Sequence, residues 1–452
     1  MKKFALFLLL GAISATAAQP NVRWISSTEA APWQTLQPSA PAPGAPVIEL
    51  DPATRYQVID GFGGCFNDLG WQALLALQPP AREAALKLLF DPAAANFTLG
   101  RMPIGANDFS LKWYSFDETP GDFAMRDFSI ARDKEDLIPY IKAAMQYQPG
   151  LGVWGVPWSP PAWMKTNDRY KGGAINFDPK ILAAYALYFS KYVQAYRAAG
   201  VRVYAVMPQN EAIYTDGIYP QCGWTALQLD GFLRDYLVPR LRKDGVKVQV
   251  WLGTMDSGKV SEYIDPVLGD PVTGPEITGV GCQYGGQATM ADTHREYPDK
   301  KIAQTETECY NGENSWDEAL TTFQRILEDT DHFAGSYFYW NLILNESGRS
   351  TWNWRQNSLL TIDRKKDSVI VNPEYYSMKH FSANVLPGAR RIAVSGGPFK
   401  NTVAFVNPAG SEEVLFENSS AKPVTVSLDT GGTVVSLNVP ERSMNTVTIG
   451  GE

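Results

Sequence analysis

An α/β chain built as an eight-stranded parallel (β/α)8 barrel, with an antiparallel β-sandwich domain appended, is the fold this sequence predicts. Three observations predict it. Short apolar runs alternate with helical patterns over about three hundred residues, an ordinary size for such a barrel. Two of those runs end by presenting carboxyls, and strand C-terminal ends are where a parallel barrel concentrates its chemistry. Past His380 the texture changes to short alternating runs separated by turn residues, the signature of an antiparallel sandwich. An open doubly wound sheet is the competing architecture. GFGG at Gly61 resembles its dinucleotide turn only loosely, because the GxGxxG spacing and the acidic follow-up are missing.

The chain begins MKKFALFLLLGAISATAAQP. Two lysines precede an apolar run from Phe4 to Ile13, and small residues follow at Ala15 and Ala17. This is the pattern of a secretory signal peptide over residues 1–18, cut near Ala17 or Ala18, and the run is short for a membrane span. The expected product is secreted or periplasmic, with no stable membrane insertion. Residues 19–50 read as an N-terminal arm, rich in Pro, Ala and Ser around NVRWI, that leads to a strand, PVIEL, joining the sandwich.

The barrel is expected over residues 51–380. Its strands read Tyr56–Gly64, Phe97–Gly105, Leu151–Ser159, Arg202–Glu211, Val246–Thr254, Ile277–Gly285, Lys301–Glu308 and Gly335–Leu344. Between them, Pro79–Leu89 starts on a Pro and carries apolar residues at helical spacing. Pro179–Ala199 puts Leu182, Tyr185, Tyr188, Phe189 and Tyr192 on one face. Thr225–Asp244 and Ser315–Asp329 repeat the pattern. The sandwich occupies residues 381–452, in the runs RRIAV, NTVAFV, EEVLFE, PVTVSL, TVVSLNV and NTVTI, with no catalytic cluster among them.

Composition narrows the function. Apolar residues make up 44% and charged residues 19%, as in a globular protein, and the net charge of -8 argues against nucleic acid or an anionic membrane as partner. His294, His332 and His380 are far apart, so neither a zinc site nor a Ser-His-Asp triad is expected, and no metal or cofactor is invoked. Cys65, Cys222, Cys282 and Cys309 could form two disulfides in an oxidising compartment, or remain buried thiols. Thirteen Trp and 21 Tyr are a rich supply of rings for core packing and for stacking on sugars.

The chemistry lies in RVYAVMPQNEAI and KIAQTETEC. Each is an apolar strand that ends on a carboxyl, Glu211 in one and Glu306 in the other. Singly, either could be an ordinary solvated Glu. Together, from the fourth and seventh strands, they can meet across the mouth and hydrolyse a glycoside, which needs an acid for the leaving oxygen and a second carboxylate. Asn210, beside Glu211, suits a sugar 2-hydroxyl. If Glu306 attacks and Glu211 protonates, the reaction retains configuration, with the carboxyls about 5–5.5 Å apart rather than the roughly 6.5–9.5 Å of inversion. Arg101, at the end of the second strand, suits the task of holding Glu306 charged, and it equally suits a structural ion pair. Glu308 is the rival nucleophile, since alternation points it to the same side as Glu306; lying further out, it reads as a supporting rim group.

These stretches resemble glycoside hydrolase family 30, the family of glucosylceramidases and β-1,6-glucanases. The resemblance runs over nearly the whole mature chain. It is carried by GFGG at Gly61, RMPIGANDFS at Arg101, VPWSPPAWMKTN at Val156, QNEA at Gln209, YPQCGWT at Tyr219 and THREYPDKKIAQTETEC at Thr293. YWNLILN at Tyr339, NWRQN at Asn353 and EYYSMKHFS at Glu374 extend it. It implies that Glu211 is the acid/base and Glu306 the nucleophile. It also implies a first sugar subsite lined by Asp108, Trp158, Asn210, Trp340 and Asn357, with Tyr284 over the nucleophile. Gln283 departs from glucosylceramidases, which carry an aromatic there after a His. With QTETECYNGENSW, that favours a β-glucan, and so an endo-β-1,6-glucanase. A glucosylceramidase or exo-β-glucosidase is the alternative of the same mechanism, and an inactive carbohydrate-binding protein the alternative of another class.

Overall fold

The computed structural model describes residues 21–450 apart from 216, 307–308 and 431, so the leader expected over residues 1–18 lies outside the described residues. Eight parallel strands form a ring: Gly61–Cys65, Leu99–Pro103, Gly152–Val156, Val203–Val206, a fifth in two pieces (Gln249–Val250 and Leu252–Met255), Gly279–Gln283, Lys301–Glu306 and Ala334–Asn341. The eighth pairs with the first, Ser336 opposite Gly61 and Tyr339 opposite Gly64, which closes that side of the ring. The two pieces of the fifth strand face different neighbours, the fourth strand and the sixth.

Most strand residues are buried, as expected when side chains fill the barrel inside and helices cover it outside. Trp154, Trp251 and Phe338 plug the interior, with the Trp154 ring 4.4 Å from Trp251 and 5.0 Å from Phe338. GFGG is a packing device. A side chain at Gly63 would place its Cβ 1.7 Å from the Leu99 carbonyl oxygen, so only glycine lets the first strand approach the second.

The helices fall near their expected bounds. Pro179–Ala198 starts on the Asp178 cap, and Trp316–Asp331 on a reciprocal Ser315–Glu318 capping box. The helix read over 225–244 is interrupted by a π-turn at Leu233–Leu237, just before Pro239, which has no N–H to continue the ladder.

The strand read from Tyr56 to Gly64 is in fact two. Val47–Val58 belongs to the sandwich, and the barrel strand begins at Gly61, whose φ of +145 turns the chain from one to the other. The arm also contributes a strand: Val22–Ser27 pairs with Ser443–Ile449. Around them stand Arg390–Gly396, Thr402–Val406, Glu412–Asn418, Val424–Asp429 and Val434–Val439, as the alternation predicts. Helix Pro373–Ser382 seats the sandwich on the barrel through His380, whose two ring nitrogens lie 2.8 Å from Thr446 Oγ1 and 2.9 Å from Ser27 Oγ. No cysteine is in a disulfide: Cys65, Cys222 and Cys282 are buried thiols and Cys309 is a part-exposed one.

Candidate active site

The fourth strand stops at Val206, short of the Glu211 that the sequence reading gave it. Pro208 has no N–H to extend the ladder, and the next three residues are pinned one by one. Gln209 Nε2 donates to the Trp158 carbonyl (2.8 Å), the Asn210 N–H to the Pro157 carbonyl (2.8 Å), and the Glu211 N–H to the Thr254 carbonyl (3.2 Å). Glu211 itself has φ +48, a left-handed conformation that costs energy in a non-glycine residue and persists only where the surroundings impose it. Glu306 is simpler, the last residue of the seventh strand.

Both carboxyls line one cavity of about 260 Å³ at the C-terminal mouth of the barrel, and both are only 7% exposed. Asp108, Trp158, Tyr219, Tyr284 and Trp354 are among its other walls. A larger cavity, about 830 Å³, opens at the opposite end, by the starts of the fourth and fifth strands. Its one acid, Glu276, is paired with Arg242 at 2.9 Å, so it offers no carboxyl pair for glycoside chemistry.

Arg101 organises the mouth. Fully buried, it spans from the second strand to both strand ends, donating from Nη1 to Glu306 Oε2 (2.6 Å) and from Nη2 to Asn210 Oδ1 (2.5 Å). Its guanidinium lies 4.6 Å from the Trp158 ring and 5.6 Å from that of Trp340, a geometry available to a planar cation. Tyr284 Oη donates to the second oxygen of Glu306 at 2.7 Å. Glu306 is therefore held as an acceptor on both oxygens.

Glu211 sits in the opposite electrostatic setting. Burial, and then the charge of Glu306, push its pKa up to about 8. Tyr219 Oη donates to its Oε2 (2.8 Å) and Gln283 Nε2 to its Oε1 (2.9 Å), which limit the rise. Asp108 is buried too, its Oδ1 has no partner, and burial followed by the Glu306 charge holds its pKa well above the usual carboxyl range. A buried acceptor left unsatisfied at a cavity wall suits a ligand hydroxyl. Asn210 Oδ1 is occupied by Arg101 and by Thr254 Oγ1 (2.8 Å), which leaves its amide nitrogen to donate.

Two expected wall residues are placed otherwise. Asn357 is fully buried and committed to structure: it accepts from the Gly312 N–H (2.7 Å) and donates to Glu318 (3.0 Å) and Glu374. Its neighbour Gln356 lines the cavity instead. Trp340 stacks behind Trp158, rings 5.4 Å apart, and donates from Nε1 to Gln356 Oε1 (2.9 Å), so it backs the wall. Glu308 lies outside the described residues. Tyr219, Gln283, Cys309, Trp354 and Gln356 were not singled out as site residues. Tyr219 and Gln283 lie in stretches noted for their pattern, but only the fold shows that they converge on Glu211.

Known proteins carry the same two-part layout. Residues 59–385 match the glycosyl hydrolase family 30 TIM-barrel domain, and residues 388–447 the beta sandwich domain of that family. The lysosomal acid glucosylceramidase of Mus musculus is 29% identical over 412 residues, 84% of this chain and 79% of its own length. The endo-1,6-beta-D-glucanase of Neurospora crassa is 27% identical over 454 residues, 93% of each chain. Among solved structures, SrfJ from Salmonella typhimurium superposes with a TM-score of 0.88 at 25% identity, covering 95% of this chain and 100% of its own.

Proposed function

The chain belongs to glycosyl hydrolase family 30 and is a hydrolase of β-glycosidic bonds, and from that premise we propose that it is a retaining endo-β-1,6-glucanase with Glu306 as nucleophile and Glu211 as acid/base. One observation carries the roles: two carboxyls on one cavity are held in opposite states. Arg101 and Tyr284 donate to the two oxygens of Glu306, while burial and the neighbouring Glu306 charge keep a proton on Glu211 up to about pH 8. In the first step a Glu306 oxygen attacks C1 as Glu211 gives its proton to the departing glycosidic oxygen. In the second, Glu211 takes a proton from water, whose oxygen attacks C1 and releases Glu306. Asp108 and the Asn210 amide are assigned to sugar hydroxyls, and Trp158 to the apolar face of the ring.

For linkage, the β-1,6-glucanase reading rests on a relative matching over 93% of both chains and on Gln283 beside the acid. The glucosylceramidase reading rests on the mouse relative, similarly identical. Products separate the two. Gentio-oligosaccharides from pustulan support the first, whereas glucose alone, or release from glucosylceramide with pustulan untouched, supports the second. Export is the reading that the leader-like pattern of residues 1–18 supports, and among the described residues no helix is long and apolar enough to cross a membrane. Protease protection in intact cells, or its loss on opening the periplasm, tests that.

A further inference from the structure

We propose that Gln283 and Tyr219 act as a pair that dictates which oxygen of Glu211 carries the catalytic proton, Gln283 barring it from Oε1 and Tyr219 accepting a hydrogen bond from it at Oε2 and donating one once it has left. The proposal rests on Glu211 being the acid/base.

The geometry is asymmetric. Gln283 is fully buried, and its Oε1 lies 3.2 Å from Thr305 Oγ1, whose hydrogen is shared with the Cys282 carbonyl at 3.1 Å. With its oxygen turned to Thr305, the side that meets Glu211 Oε1 at 2.9 Å is the NH2 group, which can only donate. An oxygen facing an obligate donor cannot also point a proton at it. Oε2 faces a different kind of group. The Tyr219 hydroxyl, 2.8 Å away, has one hydrogen and free lone pairs and can turn, so it can give a hydrogen bond to a carboxylate or take one from a carboxylic acid. The Tyr219 ring is itself held, 5.3 Å from Trp354. Thr305 precedes the nucleophile, so the amide that orients the acid is fixed by the strand that carries Glu306.

The proton cycle then balances at one atom. Before reaction, Oε2 bears the proton and Tyr219 Oη accepts from it. As the C1–oxygen bond breaks, that proton passes to the leaving oxygen, and the Tyr219 hydrogen turns to the new carboxylate oxygen. When water attacks, its proton returns to Oε2 and Tyr219 turns back. Oε1 keeps its Gln283 bond throughout. Gln283 and Tyr219 are positioning residues: each acts through Glu211. The other charged or titratable groups that act electrostatically with Glu211 are Glu306, Asp256, Asp108, Tyr214 and Tyr284, with Arg101 on the far side of Glu306.

Leaving-group dependence tests this, because dinitrophenolate departs without a proton and a sugar alkoxide does not. Tyr219→Phe and Gln283→Met are each expected to lower kcat/KM on a gentio-oligosaccharide by about tenfold or more, while changing the dinitrophenyl β-glucoside rate less than about threefold. Gln283→Met removes a hydrogen bond that favours the carboxylate, so its basic limb moves up, whereas Tyr219 bonds both states and Tyr219→Phe moves that limb less. Equal losses on both substrates, or an unmoved basic limb in Gln283→Met, overturn the proposal. Glu211→Gln is the control on the underlying reading. If it loses the gentio-oligosaccharide but keeps the first dinitrophenyl turnover, a negative result in the other two variants overturns the proton assignment alone. If it matches wild type on the gentio-oligosaccharide, both readings fall.

Discussion

In the sandwich, Trp24, Ile48, Ile392, Val414 and Leu437 pack as an apolar cluster. The one polar atom Trp24 brings is answered: its Nε1 donates to Asn445 Oδ1 at 3.1 Å. At the barrel mouth an equally buried set is made of Arg101, Asp108, Asn210, Glu211, Gln283 and Glu306. There Arg101 Nε and Asp108 Oδ1 are left without partners, as Thr402 Oγ1 and Glu417 Oε2 are in the sandwich, but Asp108 lines the cavity, beside a Glu211 held at φ +48. Apolar burial contributes stability in proportion to area, whereas buried charge costs several kcal/mol of desolvation before pairing offsets it. The difference teaches where each domain's energy goes: the sandwich keeps the fold, and the mouth carries strain that only chemistry repays.

Substitutions in the two regions should therefore fail differently. The largest effect is expected for Glu306→Gln, which should lower kcat on an aryl β-glucoside by about 10⁴-fold or more with the fold intact, read by initial rates and circular dichroism. If wild type and variant turn over the aryl β-glucoside equally slowly, the binding-protein alternative gains. Next, Arg101→Met should lower kcat by about 100-fold, since it frees Glu306 and Asn210 together. The loss should appear in kcat more than in KM, because both groups it releases act at the reacting centre. By contrast, Ile392→Ala, in the sandwich core, should cost about 2–5 kcal/mol of stability by chemical denaturation and leave kcat of the folded enzyme unchanged. A kcat loss there would show that the sandwich shapes the mouth.

His380, at the seam of the two domains, gives the smallest effect at neutral pH. Burial depresses its pKa from 6.5 to about 3, so the unfolded chain binds the proton first. Its contribution is full above about pH 6.5 and is lost as pH falls towards about 3. Melting temperature should decline over that window in wild type and decline less in His380→Gln.

Much of this was legible in the sequence because it is local. Period-two alternation marked every sandwich strand after residue 389, and Pro or Ser starts marked the long helices. The run Val47–Val58 misled because Asp60–Gly61, where the chain turns, was read as strand interior; the sheet pairing divides the two strands. Asn357 was placed in the subsite by its stretch, yet its neighbour Gln356 faces the cavity, a distinction set by loop direction and invisible in spacing. Tyr219 and Gln283 could not be paired with Glu211 from sequence, because nothing local records that the loop after the fourth strand and the end of the sixth strand close on one carboxyl.

The central claim, that Glu306 forms a covalent bond to the sugar, is tested most directly by trapping it. A 2-deoxy-2-fluoro-β-glucoside with an activated leaving group slows release of the glycosyl-enzyme. Digestion and mass spectrometry are expected to find one fluoroglucosyl group on the peptide KIAQTETEC, fragmenting to Glu306. An adduct on Glu308 or Glu211, or no adduct with an α-anomer as first product, would contradict it.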